Sequence, residues 1–118
     1  MNAAQTTTMN HPDYVLALFI QTLATAHTGR DSGIRGDDLA AKCHIAPRMV
    51  RDLVSKAREQ GTLIAGTPST GYFIATTVAE VTEYCDYLTH RALHSLKLVA
   101  RAKNIGLPAL MGQLNLGT

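Results

Sequence analysis

Apolar residues recur with helical spacing along the first part of the chain. Pro12 suits the first turn of a helix, where its missing N–H has no partner to lose. Beyond it, Val15, Leu18, Phe19, Leu23 and Ala26 fall on one helical face. Leu16 and Ile20 lie off that face, which predicts a helix covered on two sides. Residues 28–36 break the pattern with three glycines, Asp31 and Ser32, and predict a loop with Ile34 as a short strand. A short second helix follows. Asp37 and Asp38 stand in its first turn, where the macrodipole favours acids, and Leu39, Ala40 and Cys43 form its apolar side. His44, Ile45 and Ala46 make a tight link. Pro47 opens a third helix that runs to about Gln60, ends on Gly61 and buries Val50, Leu53, Val54 and Ala57.

After Gly61 the period changes. Leu63-Ile64-Ala65 and Tyr72-Phe73-Ile74-Ala75 are short apolar runs separated by turn formers, which predicts a β-hairpin with a loop of about five or six residues. Thr77 caps a fourth helix, with Glu80 three residues on completing a capping box. From Val78 to Lys103 there is neither Gly nor Pro, so this helix has 26 residues and a length of ~39 Å. Its apolar stripe is Val78, Val81, Cys85, Leu88, Ala92, Leu96 and Val99, with Tyr84 and Ser95 beside it. A domain this small cannot cover such a helix. Its first part is expected to pack on the domain, while Val81, Tyr84, Cys85, Leu88, Ala92, Leu96 and Val99 are expected to meet a second copy of the chain. The alternative is a helix folded back over the first one. Glu80, Glu83 and Asp86 lie in the first half of this helix, and Arg91, Lys97, Arg101 and Lys103 in the second. That polarity suits the macrodipole and also an antiparallel pair.

Composition narrows the reading further. With 118 residues, 46% of them hydrophobic and 17% charged, the chain makes one domain with flanking segments and is not intrinsically disordered. No Trp and 5% aromatic residues imply an aliphatic core. The longest apolar run, Tyr14 to Ile20, has seven residues, far below the ~20 of a membrane span. Residues 1–11 contain no Lys, Arg or apolar core of a signal peptide and predict a flexible arm. Two cysteines make no disulfide framework, which points to a reducing cytoplasmic setting. Residues 106–118, with Gly106, Pro108 and Gly112, predict a flexible tail.

The stretch from Leu39 to Leu53 (LAAKCHIAPRMVRDL), then Ala57-Arg58-Glu59-Gln60-Gly61, then Gly71-Tyr72-Phe73-Ile74, resembles the winged helix-turn-helix DNA-binding family of the biotin-repressor N-terminal type. The resemblance covers about a third of the chain, residues 36–76. Where that family carries a Ser cap, this chain has Ala46-Pro47, and biotin ligation is not expected of it. The segment from the hairpin into the last helix is also similar to small phage and prophage winged-helix proteins. The resemblance implies a mainly α fold with a small β-hairpin: a flexible arm (1–11), a winged helix-turn-helix domain (12–77), a long C-terminal helix for dimerisation (78–105) and a flexible tail (106–118). It also implies double-stranded DNA as partner, a role as transcriptional regulator or phage-type DNA-processing accessory factor, and a bacterial or phage-infected cell as the setting.

On that pattern the third helix presents Pro47, Arg48, Met49, Arg51, Asp52, Ser55, Lys56 and Arg58 to the major groove. The wing adds the hydroxyls of Thr67, Ser69 and Thr70. Arginine reads guanine bidentately, while Ser and Lys suit phosphate. Residues 37–76 hold five Lys or Arg and four Asp or Glu, a weakly basic balance. The contrasting reading is a winged module that docks proteins without reading DNA.

No catalytic triad, carboxylate pair or phosphate loop is present, so no enzyme and no cofactor are expected. Asp86, His90 and His94 share a helical face, a pattern that two-histidine metal sites use, but they read as polar surface. Gln113, Leu114 and Leu116 resemble the extended peptide that binds the bacterial sliding clamp, with Gly117 in place of the terminal aromatic. That implies a weak clamp contact; docking of these leucines on the protein itself is the other reading.

Overall fold

The computed structural model describes residues 12–114. They are mainly helical with one two-stranded antiparallel hairpin. The chain divides into two compact units, the first ending at Thr82 and the second starting at Glu83. The expected arm, residues 1–11, lies outside the described residues.

In the first unit, helix α1 (Pro12–Ala26) leads through a 3₁₀ turn (Arg30–Ser32) to α2 (Gly36–Cys43) and α3 (Met49–Glu59). The hairpin strands β1 (Ile64–Thr67) and β2 (Gly71–Ile74) follow. One apolar cluster joins the three helices to the hairpin: Leu16, Phe19 and Leu23 of α1, Leu39, Ala40 and Cys43 of α2, Val50, Leu53, Val54 and Ala57 of α3, and Ile64 of β1. The stripes expected for α2 and α3 are the buried ones. For α1 the face is rotated. Leu16, expected off the face, is buried, whereas Leu18 and Ala26 are exposed. Val15 and Ile20 flank the buried face and pack against the cluster.

Three helix ends are shaped by left-handed residues. His44 (φ 57°) ends α2, with the Ile45 N–H on the Ala40 carbonyl (3.0 Å). Gly61 (φ 95°) ends α3, with Thr62 on Ala57 (3.0 Å). These N–H groups satisfy helix carbonyls that would otherwise lack donors. The third is Asn104 (φ 57°). Helix α3 begins at Met49 rather than at Pro47. Pro47 and Arg48 belong to the preceding turn, in which the Met49 N–H reaches the Ala46 carbonyl (2.9 Å).

The hairpin is tighter than expected. Ile64 pairs with Ile74 and Thr67 with Gly71, leaving only residues 68–70 as the loop. The free edge of β2 is covered by the chain between α1 and α2. Ile34 and Tyr72 exchange two backbone hydrogen bonds (2.9 and 2.7 Å), the Gly29 N–H donates to Ile74 (2.9 Å), and the Ile74 N–H donates to His27 (2.8 Å). Ile34, expected as a short strand, makes an isolated antiparallel bridge to Tyr72.

Helix α4 (Val78–Lys103) starts in the first unit. Val78, expected to pack on the domain, is exposed; the buried residue of this turn is Glu80. Thr77 Oγ1 accepts the Glu80 N–H (3.1 Å), which is half of the expected capping box. The Glu80 carboxylate reaches further than a capping box requires. It accepts the Thr76 N–H (2.8 Å), the Thr76 hydroxyl (3.1 Å) and the Arg30 N–H (2.7 Å), closing the loop before α2 onto the start of α4. These donors, the Thr76 and Arg30 amides first, hold the carboxyl below its ordinary range against the opposing effect of burial.

In the second unit, α4 ends at Asn104, where the Ile105 N–H bonds to the Ala100 carbonyl (2.9 Å). A further helix, α5 (Leu107–Gln113), follows, with Pro108 in its first turn and Leu110 buried. The expectation of a flexible tail is corrected up to Leu114, residues 115–118 lying outside the described residues: Gly106 and Pro108 start a helix rather than interrupt structure, as Pro in a first turn can.

Two predictions follow from these contacts. At Gly71 (φ +72°) an added Cβ would lie 2.6 Å from the Ile34 carbonyl, whereas at Gly61 (φ +95°) it would meet nothing within 4 Å. Gly61→Ala is expected to lose the left-handed penalty of ~1–2 kcal/mol. Gly71→Ala adds overpacking and is expected to lose ~2–4 kcal/mol in urea unfolding. Equal losses would show that the Ile34 contact matters little.

Glu80 sets the second. A carboxyl whose folded value is depressed contributes stability that is present above its unfolded value and lost as pH falls through the folded value. Stability should therefore fall on acidification below the ordinary carboxylate range. In Glu80→Gln, unfolding compared at neutral and acidic pH should show a smaller acid loss than in the natural chain. An identical acid loss in the two chains would remove Glu80 from this role.

Candidate nucleic-acid interface

Helix α3 is amphipathic over its whole length. Its inner stripe is buried in the cluster, and the opposite side carries the residues singled out from the sequence. Arg48 caps the helix, Met49 and Arg51 follow in its first turn, and Ser55 lies one turn on; all four are exposed. Pro47 is exposed in the turn before them. Asp52 and Lys56 are exposed and form an i, i+4 ion pair at 3.1 Å.

Arg58 departs from the expectation. It is half-buried, and its Nε–H donates to the Ile64 carbonyl at 2.9 Å. Its side chain ties the last turn of α3 to β1 and is not part of the open face.

The hairpin tip departs in a similar way. Thr67 Oγ1 lies 3.0 Å from Ser69 Oγ and 3.1 Å from Thr70 Oγ1. The Thr67 N–H donates to Thr70 Oγ1 (3.0 Å), whose own hydroxyl donates to the Gly71 carbonyl (2.9 Å). The three hydroxyls expected to face DNA thus close the loop on itself. Pro68 and Ser69 are the exposed residues of the tip.

The basic side chains of the first unit sort by what they touch. Lys42 donates to Nε2 of His27 (2.8 Å), and Nδ1–H of that ring donates to the Ser32 carbonyl (2.8 Å). Arg30 and Arg58 are engaged within the protein, and Lys56 is paired. Among the described residues of this unit, Arg35, Arg48 and Arg51 are exposed cations with no hydrogen bond or ion pair.

Arg35 was not singled out from the sequence, and its place is set by its neighbours. It follows Ile34, which is bonded to Tyr72 of β2, and its backbone N faces Gly71. It precedes Gly36, whose Cα side lies between the Tyr72 ring and the Val50 side chain. Arg35 therefore stands where the first turn of α3 and the loop end of the hairpin come together. The sequence signal available was its position at the cap of α2, beside a strand residue. Only the pairing of Ile34 with Tyr72 reveals what that strand residue meets.

Elsewhere the surface offers less chemistry. An open groove of about 390 Å³ runs between α1 and the end of α3, lined by Leu16, Ala17 and Ile20 with Asp13, Gln21 and Gln60 at its edges. Among the described residues, no group of three His, Cys, Asp or Glu is placed to hold a metal ion, Asp86, His90 and His94 included. No described helix is long and apolar enough to cross a membrane. The sliding-clamp reading required an extended peptide. Gln113 instead ends α5, the Leu114 N–H caps it on the Leu110 carbonyl (3.1 Å), and Leu116 lies outside the described residues.

Of the residues expected at a dimer interface, Val81, Tyr84 and Leu96 are half-buried, while Cys85, Leu88, Ala92 and Val99 are exposed. Comparison with known protein families, with characterised proteins and with solved structures found no match to this chain.

The division of labour on α3 is testable by stability. Arg58→Ala is expected to cost ~1–3 kcal/mol in urea unfolding, since it removes a charged donor from the carbonyl of the buried Ile64. Ser55→Ala, on the exposed face, should stay within ~0.5 kcal/mol. Indistinguishable midpoints for the two variants would return Arg58 to the open face.

Proposed function

We propose that the first unit is a winged helix-turn-helix domain that binds double-stranded DNA, as regulators and DNA-processing accessory factors do. In this reading α2 and α3 form the helix-turn-helix, and the hairpin is its wing. Arg48 and Arg51 enter the major groove with Met49 and Ser55 beside them. Arg35 neutralises a backbone phosphate next to a wing that has no cation of its own, and Pro68 and Ser69 pass along the backbone. One observation carries the reading. The three exposed cations of this unit without an internal partner gather around the start of α3, while its other Lys and Arg side chains are engaged within the protein. Arginine left unpaired beside a helix that is otherwise buried on its far side suits phosphate and base edges.

A second reading, a protein-docking module, is favoured by Met49. It is a large apolar side chain exposed beside Arg48 at the start of α3. Salt separates the two readings. Duplex binding weakens steeply with ionic strength because bound phosphates release counterions, whereas an apolar docking surface responds weakly.

In a fluorescence-anisotropy titration with a duplex selected from random sequence, Arg48→Ala and Arg51→Ala are each expected to cost ~1–3 kcal/mol. Arg35→Ala should weaken all sequences alike and reduce the salt slope by about one. All three residues are exposed, so thermal unfolding should stay close to that of the natural chain. Undiminished duplex affinity in both Arg48→Ala and Arg51→Ala would overturn the reading.

A further inference from the structure

Helix α4 carries an exposed seam with heptad spacing that runs almost its full length. Cys85, Leu88, Ala92, Ser95, Val99 and Ala102 follow one another at intervals of three, four, three, four and three residues, and all six are exposed. Leu88 and Val99 are 42% and 40% exposed on this seam. A strict seven-residue repeat keeps one stripe facing a partner helix, and a helix with no partner has no use for it. Leu88 and Val99 flank two small residues, so the partner's backbone can come close beside Ala92 and Ser95.

The charges select the partner and its direction. Beyond Glu80, which is buried against Thr76 and Arg30, residues 81–90 hold Glu83 and Asp86 with no Lys or Arg; residues 91–103 hold Arg91, Lys97, Arg101 and Lys103 with no acid. A parallel copy would set acid against acid and base against base. An antiparallel copy sets each half against its complement.

We propose that α4 pairs with α4 of a second copy, antiparallel, about a two-fold axis between Ala92 and Ser95. That axis places Cys85 opposite Ala102 of the other copy, Leu88 opposite Val99, and Ala92 opposite Ser95. The two largest seam residues then meet each other, and the small ones meet at the crossing. Asp86 lies opposite Arg101. Because the contact is two-fold, each pairing occurs twice and the assembly closes at two chains. This inference stands apart from DNA binding: the seam and the exposed cations lie on different elements, and either reading can fail alone.

Sedimentation of the full chain at micromolar concentration is expected to give twice the chain mass. Leu88→Glu, at an exposed position, should give the single-chain mass with helicity by circular dichroism unchanged. Orientation is read by oxidation. Ala102→Cys should form an intermolecular disulfide with the native Cys85, whereas the natural chain and the Cys85→Ser, Ala102→Cys double variant should not. A single-chain mass for the natural protein, or a dimer that survives Leu88→Glu, would overturn the seam. A disulfide in the double variant would overturn the antiparallel arrangement.

Discussion

Strand β2 is four residues long and is hydrogen-bonded along both edges, to β1 on one side and to the chain between α1 and α2 on the other. Much of the first unit depends on this double pairing. Its outer edge fixes where α1 ends and α2 begins, because His27, Gly29 and Ile34 are all bonded to β2 backbone. Its inner edge fixes β1 and, through the Arg58 side chain, the last turn of α3. Just past its end, Thr76 and Arg30 converge on Glu80. Buried backbone groups must find partners, and here one short strand supplies them for several elements.

The surface proposed to meet DNA follows from that arrangement. α3 is held along its length by an apolar stripe and at its C-terminal end by Arg58, so its first turn projects from a fixed base. Internal bonds engage His27, Lys42 and the hydroxyls of Thr67 and Thr70. What remains unengaged is a small set of arginines at the junction of α3 with the hairpin. Selectivity of this kind comes from which groups the fold consumes, not from net charge, which is only weakly positive.

Much of this architecture was readable in the chain, and the failures have physical causes. The stripes of α2 and α3 were legible because each helix has a single apolar face against polar residues. α1 has apolar residues around most of its circumference, so periodicity alone chose Leu18 over Leu16; packing against α2 and α3 decided otherwise. The hairpin was legible but its loop was not, since hydroxyl bonds among Thr67, Ser69 and Thr70 substitute for the extra turn residues. α5 is not legible because Gly106 and Pro108, breakers inside a helix, stand here at the start of one. Within the candidate site, the exposure of Arg48, Met49, Arg51 and Ser55 is legible from helical spacing. Arg35 and the internal role of Arg58 depend on contacts between segments far apart in sequence, which no local pattern encodes.

The hydroxyl mesh at the hairpin tip has a thermodynamic consequence. Loops that recognise a partner usually sacrifice conformational freedom when they bind, and that loss subtracts from affinity. In residues 67–71 the freedom is surrendered at folding, to hydrogen bonds within the loop itself. Whatever the tip approaches meets a surface whose shape is already decided. Such a tip gives up induced fit: a partner of slightly different contour is refused rather than accommodated, and tolerance for variation has to reside in the partner.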